Sequence, residues 1–228
     1  WKEVLDWPFP DAEQSYSTRD AMLYALGLGY GHDPLDEDEL RYLFEEHEQG
    51  LRAVPSMAVV LGGPGAWMRD PRTGIDWVRS LHGEQGLVMH APLPPEARVI
   101  GRNRVTNIID KGAGKGALLL MERDIVDAAT GKLIATRTSS SFLRGDGGCG
   151  APGVAQPKPE PLPSRQPDHV VEIGTRPESA LLYRLSGDFN PVHASPAVAR
   201  KAGFERPILH GLCTFGIACR ALIKGACG

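Results

Sequence analysis

The hydrophobic and polar positions set a strand-rich stretch between helical ones. Residues 76–90, 98–110, 117–127 and 132–143 are rich in Val, Ile, Leu and Thr. Turn chemistry separates them at Pro92 to Pro95, at Asp110-Lys111-Gly112-Ala113-Gly114 and at Asp127-Ala128-Ala129-Thr130-Gly131. Aliphatic and β-branched runs bounded in this way read as strands, and four in succession predict an antiparallel meander. Before them, Pro55 to Leu61 predicts a short buried helix. Later in the chain, His169 to Ile173 reads as a strand. Thr175 and Glu178 have capping-box spacing with Pro177 between them, predicting a short helix through Leu185. Ser195 and Pro196 read as the cap and first residue of another helix, ended by Gly203. Gly211 to Lys224 is apolar on nearly every side, which predicts a helix surrounded by protein.

Two features organise these elements. Ala21-Met22-Leu23-Tyr24-Ala25-Leu26-Gly27 is echoed by Ala180-Leu181-Leu182-Tyr183-Arg184-Leu185-Ser186, near the start of each part, which argues for a duplicated domain. Between the parts, 145–167 is dense in Gly and Pro and nearly free of large apolar residues, the composition of an extended linker. The expected division is therefore a first repeat at 1–144, a linker at 145–167 and a second repeat at 168–228. A lone apolar helix needs a sheet to bury it. The second part stops after its helix, so that repeat is expected to be incomplete at Gly228.

Composition narrows the classes. The chain has 228 residues, 42% hydrophobic and 23% charged, enough for one large core or two modest ones. A net charge of −3 argues against a generic nucleic-acid binder, though not against a local basic patch. No run of about 18 apolar residues marks a membrane span. The chain opens on Trp1, which points to trimming, and lacks the basic-then-apolar pattern of a secretion signal. Cys149, Cys213, Cys219 and Cys227 include no C-x-x-C pair. They predict reduced packing thiols, and no set of residues has the spacing of a metal site.

The densest chemistry is Ser186-Gly187-Asp188-Phe189-Asn190-Pro191-Val192-His193, with a carboxylate, an amide and an imidazole in six positions. Asn190 precedes proline and is pushed toward extended geometry, so the segment is a loop leaving the preceding helix. Asp188 and His193 can converge on one water as general acid and base. Asp188 can equally cap backbone amides in an Asx-turn. Pro207-Ile208-Leu209-His210-Gly211-Leu212 then enters the apolar helix. Its first N–H groups are unpaired and carry partial positive charge, so a carbonyl placed at Gly211 would be polarised. Gly211 can also simply allow close packing. His210 reads as a supporting histidine rather than a catalyst.

The run Tyr183-Arg184-Leu185-Ser186-Gly187-Asp188-Phe189-Asn190-Pro191-Val192-His193 resembles the signature of (R)-specific 2-enoyl-CoA hydratases, or hydratase 2. So does Ala202-Gly203-Phe204 through Pro207-Ile208-Leu209-His210-Gly211-Leu212-Cys213-Thr214-Phe215-Gly216. Tyr24-Ala25-Leu26-Gly27, Leu81-His82-Gly83-Glu84-Gln85 and Asp110-Lys111-Gly112 resemble the amino-terminal half of the two-domain, MaoC-like form. The resemblance implies an α+β double hot-dog fold, with antiparallel sheets each wrapped round a central helix. It implies reversible hydration of a trans-2-enoyl-CoA to a (3R)-3-hydroxyacyl-CoA in fatty acid metabolism, with acyl-CoA as substrate and no cofactor. Asp188 and His193 match the catalytic pair, Asn190 the amide of the water site, and Gly211 the backbone donor to the thioester carbonyl. Phe189, Pro191 and Val192, within the signature, are expected at the substrate. His82, Gly83 and Lys111 fall on first-domain motifs that contact acyl-CoA. The first repeat reads Gly27-Leu28-Gly29-Tyr30-Gly31-His32-Asp33 where the second has its signature, so one active site per chain is expected. A cytoplasmic location in a bacterium or a peroxisomal one in a eukaryote follows, with no nucleic-acid or membrane partner. Hot-dog units pair their sheets, which points to a homodimer, although two repeats can satisfy that pairing within one chain. The competing readings are a hot-dog dehydratase for other acyl thioesters, a thioesterase and a non-catalytic acyl-CoA-binding module.

Overall fold

The computed structural model describes residues 1–158 and 160–227. The chain forms two compact units that interleave in sequence. The first comprises Trp1–Gln14, Leu61–Ala91 and Arg98–Ser164, and the second Ser15–Val60, Pro92–Ala97 and Arg165–Gly228. No helix among the described residues is long and apolar enough to cross a membrane.

The first unit is built on a five-stranded sheet. Its strands are β1 (Ala12–Tyr16), β2 (Ser80–Met89), β3 (Ala97–Asp110), β4 (Ala117–Asp127) and β5 (Leu133–Leu143), in the spatial order β1-β3-β4-β5-β2. The expected meander holds for β3, β4 and β5, which follow one another as antiparallel neighbours. It fails for β2, which pairs antiparallel with β5 and not with its sequence neighbour β3. Strand patterning shows which residues face inward but does not encode which edge a strand joins. In β4 the burial alternates along the whole strand from Ala117 to Ile125, the period of two that pleating imposes. Leu119 and Met121 join Val4, Val105, Ile108 and Leu143 in one apolar cluster. Arg123 is the polar member of the same row. It donates to Leu61 O at 2.6 Å and to Asn103 Oδ1 at 2.8 Å, and burial lowers its pKa to about 9.

One close approach in this unit is open only to glycine. A Cβ on Gly101, in β3, would lie 2.6 Å from Gly62 Cα. Both partners are backbone, so neither can swing aside. Gly101→Ala is expected to cost about 1–3 kcal/mol by overpacking, read as a lower urea midpoint with an unchanged slope.

The second unit is helical. α2 (Thr18–Gly27) opens with a complete capping box, in which Ser17 N donates to Asp20 Oδ2 at 2.9 Å and Asp20 N to Ser17 Oγ at 3.4 Å. It packs on α4 (Ser179–Tyr183), so the two echoed segments meet. Tyr24 and Tyr183 lie 5.8 Å apart between ring centroids, and Gly27 passes 3.3 Å, measured from a built Cβ, from Tyr183 Cα. The expected helix at Pro55 is a buried 3-10 segment, Pro55–Val60. α5 (Pro196–Lys201) starts as expected, with Ser195 Oγ accepting from Val198 N and Pro196 at its first position. Gly203 follows with φ +90°. The remaining helices are α1 (Lys2–Leu5) in the first unit, and α3 (Glu37–Leu40) and α6 (Gly211–Leu222) in the second, α6 running on into a π turn at Ile223–Cys227.

Three expectations give way here. His169 to Ile173 is not a strand, because no described residue pairs with it and Val170 is 77% exposed. Thr175 and Glu178 do not form a capping box; Glu178 occupies the N-cap of α4 without a side-chain bond, and Ser179 Oγ accepts from Arg176 N instead. α6 buries a single face, Cys213, Gly216 and Arg220, while Thr214, Ala218 and Leu222 are exposed. Packing thiols are found at Cys213, buried with its pKa pushed up to about 12, and at half-buried Cys219, but Cys149 and Cys227 are exposed.

Candidate active site

The second unit gathers the signature residues around one loop. The 3-10 turn Arg184–Ser186 that continues α4 ends at Gly187, whose φ of +115° only glycine adopts without strain. The chain then turns twice through side-chain caps. Asp188 Oδ1 accepts from Asn190 N at 3.1 Å, and Asn190 Oδ1 accepts from Val192 N at 3.2 Å. With Pro191 at its first position, the Asn190 cap starts the 3-10 turn Pro191–His193 that carries the imidazole. The Asx-turn leaves room for the functional reading of Asp188: one carboxylate oxygen serves the turn, and the other has no hydrogen bond among the described residues.

The loop is zipped to the segment that leads into α6. Ile208 N donates to Val192 O at 3.4 Å, and His193 Nδ1 faces Ile208 O at 2.8 Å. A carbonyl only accepts, so Nδ1 of His193 carries a proton, and whenever the ring is uncharged its lone pair is on Nε2. His210, 1% exposed, makes the second tie, with Nε2 facing Asp188 O at 3.1 Å. The same logic puts its proton on Nε2. Its Nδ1 is buried without a hydrogen-bond partner among the described residues. Burial is the main cause that lowers the His210 pKa, with the neighbouring His193 and Arg184 adding to it against the opposing pull of Asp188. His210 and His193 stack with centroids 3.7 Å apart and planes at 23°, and Tyr183 lies 5.1 Å from His210.

Asp188, His193 and His210 thus bring three proton-carrying side chains together, one polar atom of each lying within 4.8 Å of the others. Asp188 and His193 are half-buried. This corrects the expectation that no group of residues reaches metal-ligand spacing. Of the three, half-buried Asp188 and His193 are open to proton transfer, while His210 is buried.

Gly211 is the first residue of α6, next to His210, and no side chain caps this helix. Its N–H is among those with no partner inside the helix. Gly211 is exposed and a Cβ there would meet nothing within 4 Å, so close packing does not account for it. Phe189 is 57% exposed beneath the Arg184 guanidinium, 4.9 Å from its ring centroid. Pro191 is exposed and Val192 half-buried.

His82, Gly83 and Lys111 belong to the first unit. His82 is exposed, with Nε2 facing Glu84 O at 2.9 Å. Gly83 sits at the bulge between His82 and Glu84, where a Cβ would come 2.8 Å from Ser140 Oγ, a packing reason for glycine. Lys111 is exposed in the turn between β3 and β4, with its N–H on Gly116 O at 3.0 Å. The residue that sequence reasoning underweighted is His210. Its signal was its place directly before Gly211; its burial and its stack on His193 arise only on folding.

Comparison with known proteins shows the family and the fold. A family model described as the MFE-2 hydratase 2 N-terminal domain matches residues 14–145, and one described as a MaoC like domain matches residues 158–228. The peroxisomal enoyl-CoA hydratase 2 of Arabidopsis thaliana is 39% identical over 98% of this chain and 76% of its own length. The 3-hydroxyacyl-thioester dehydratase Y of Mycobacterium tuberculosis is 38% identical over 91% of this chain and 70% of its own. The crystal structure of a MaoC-like dehydratase from Phytophthora capsici superposes with a TM-score of 0.83 at 35% identity, over 98% of this chain and 76% of that one. A Mycobacterium tuberculosis protein described as a double hot-dog fold matches at a TM-score of 0.51 and 16% identity, over 96% of this chain and 72% of that one, a likeness of fold alone. The α+β, hot-dog fold class expected from the sequence is the one found.

Proposed function

We propose a reaction from one premise: the chain belongs to the hydratase 2 family of MaoC-like enzymes. It is a lyase of the enoyl-CoA hydratase and 3-hydroxyacyl-thioester dehydratase kind. In the proposed reaction a trans-2-enoyl-CoA takes up water to give a (3R)-3-hydroxyacyl-CoA, reversibly. Water adds its oxygen at C3, and C2 receives a proton. The Asp188 carboxylate and the Nε2 lone pair of His193 hold the water between them and take up its proton as the C–O bond forms. The same pair then delivers a proton to C2. Negative charge builds on the thioester oxygen as the double bond is attacked, and the Gly211 N–H stabilises it there. Such a donor is worth about 10²–10³ in rate. Asn190, whose carbonyl oxygen is committed to the turn, keeps its amide N–H groups to orient the water. Every proton in this scheme is carried by water, Asp188 or His193, so the chemistry calls for no cofactor. Exposed Lys111, in its glycine-flanked turn, and exposed His82 suit contacts with the CoA portion.

The observation that carries the reading is the meeting of Asp188, His193 and His210 within 4.8 Å, with His210 directly preceding an uncapped helix start. The test is turnover by the full-length protein. A medium-chain trans-2-enoyl-CoA should lose its conjugated thioester absorbance, and the product should resolve as the 3R enantiomer. A 3S product would overturn the assigned stereochemistry. Binding without turnover across short, long and branched substrates would leave an acyl-CoA-binding module in place of the enzyme.

A further inference from the structure

His210 bonds to Asp188, stacks on His193 and directly precedes Gly211. It is buried, so it is an unpromising acid or base for an incoming acyl chain. Its Nε2–H holds the backbone oxygen of Asp188, its ring lies flat on His193, and its own peptide bond leads into Gly211. The three groups that must act on C2, C3 and the thioester oxygen come from two segments about twenty residues apart in sequence. Within the second unit two side chains tie those segments, His193 to Ile208 O and, from the other side, His210 to Asp188 O.

We infer that His210 is the positioning residue of this site, fixing the Asp188–His193 pair at a set distance from the Gly211 N–H through its bond to Asp188 O and its stack on His193. The inference rests on the hydration reading for its consequence in rate, but the tie itself can be measured without turnover. Its chemistry is specific. The bond to Asp188 O needs a donor at the Nε2 position, and the stack needs a flat group that stays uncharged beside His193. A neutral imidazole meets both needs. The charged and titratable groups around it are Asp188 and His193 on the loop, Arg184 on the preceding turn and Tyr183 at the end of α4. When His193 takes a proton during the reaction, a neutral ring beneath it accommodates the cation, whereas a second imidazolium would repel it.

Two variants separate the parts. His210→Phe keeps a flat ring and removes the donor. His210→Gln places an amide N–H near the lost Nε2–H. In the full-length protein His210→Phe is expected to lower kcat by about 10²-fold, the scale of a misplacement of about 1 Å, with KM changed by less than about threefold because no substrate contact is lost. His210→Gln should recover most of that loss. Amide hydrogen exchange across Asp188 to His193 should quicken in His210→Phe and return toward wild-type rates in His210→Gln. A kcat within about threefold of wild type in His210→Phe overturns the inference. So does an equal loss in both variants together with a lower Tm, which marks a packing role only. If the wild-type protein hydrates no enoyl thioester, the hydration reading falls, and exchange alone decides the tie: unchanged rates in His210→Phe overturn it, and faster rates reversed by Gln uphold it.

Discussion

Replacing Asp188 by Asn is expected to lower kcat for hydration of a trans-2-enoyl-CoA by about 10²–10⁴-fold, the range for loss of a positioned general acid or base. The substitution is close to isosteric and keeps the structural work of the residue. An Asn at 188 still presents a carbonyl oxygen to Asn190 N, which now donates to Asp188 Oδ1 at 3.1 Å. The backbone oxygen that accepts from His210 is unchanged. What disappears is the negative charge and the capacity to take and return a proton. The fold should therefore survive, with circular dichroism and Tm close to wild type, and KM should move little. His193→Gln should fall in the same range, and the double variant should cost much less than the product of the two, because groups acting on one water work as a unit. Stopped assays following loss of the conjugated thioester absorbance check this directly. An Asp188→Asn variant within about threefold of wild type would take the carboxylate out of the chemistry and leave it as the Asx cap it also is.

The limits of sequence reasoning fall where contacts are long-range. β4 is legible because its apolar run and the turn residues that bound it are local, whereas its alternating burial is not, since Ala117 to Met121 are all apolar and buried Arg123 is charged. The partner of β2 is not legible, since its pairing with β5 joins Ser80 to Leu143 and no feature of either segment names the other. The loop from Asp188 to His193 was legible for the same local reason, as its caps span two residues each. His210 reads as a supporting histidine, and its stack on His193 is not legible because it forms only where the Ile208 segment meets the Val192 loop. The composition of α6 misled in a further way. An apolar count cannot tell a surrounded helix from one with a single buried face. The polar residue at the heart of that face, Arg220, is not legible as buried because its partner, Glu39, lies 181 positions away.

That buried pair carries the largest expected effect on stability. Arg220 and Glu39 keep only 8% and 7% of their side chains exposed. Arg220 Nε donates to Glu39 Oε1 at 2.8 Å and NH1 to Leu28 O at 3.3 Å, while the other carboxylate oxygen accepts from Gly31 N at 2.9 Å. The guanidinium also lies over Tyr30, 5.0 Å from its ring centroid. Burying two charges is costly, and the pair offsets that cost only while both members are present. Removing one leaves an uncompensated buried charge, which costs about 3–5 kcal/mol. In Arg220→Met the stranded carboxylate keeps Lys224 Nζ, half exposed and 3.9 Å away, which sets the expected loss near the lower end. At about 2–4 °C per kcal/mol for a chain of this size, Tm should fall by roughly 6–12 °C. The discriminating variant is Glu39→Gln combined with Arg220→Met. It removes both charges yet retains an acceptor for Gly31 N, so it should be more stable than Arg220→Met alone even though it alters more of the protein. If the double variant is instead the less stable by the sum of the two single losses, the pair has no coupling, and the stability of this unit rests on the packing of Cys213 and Gly216 against α2 and Leu28.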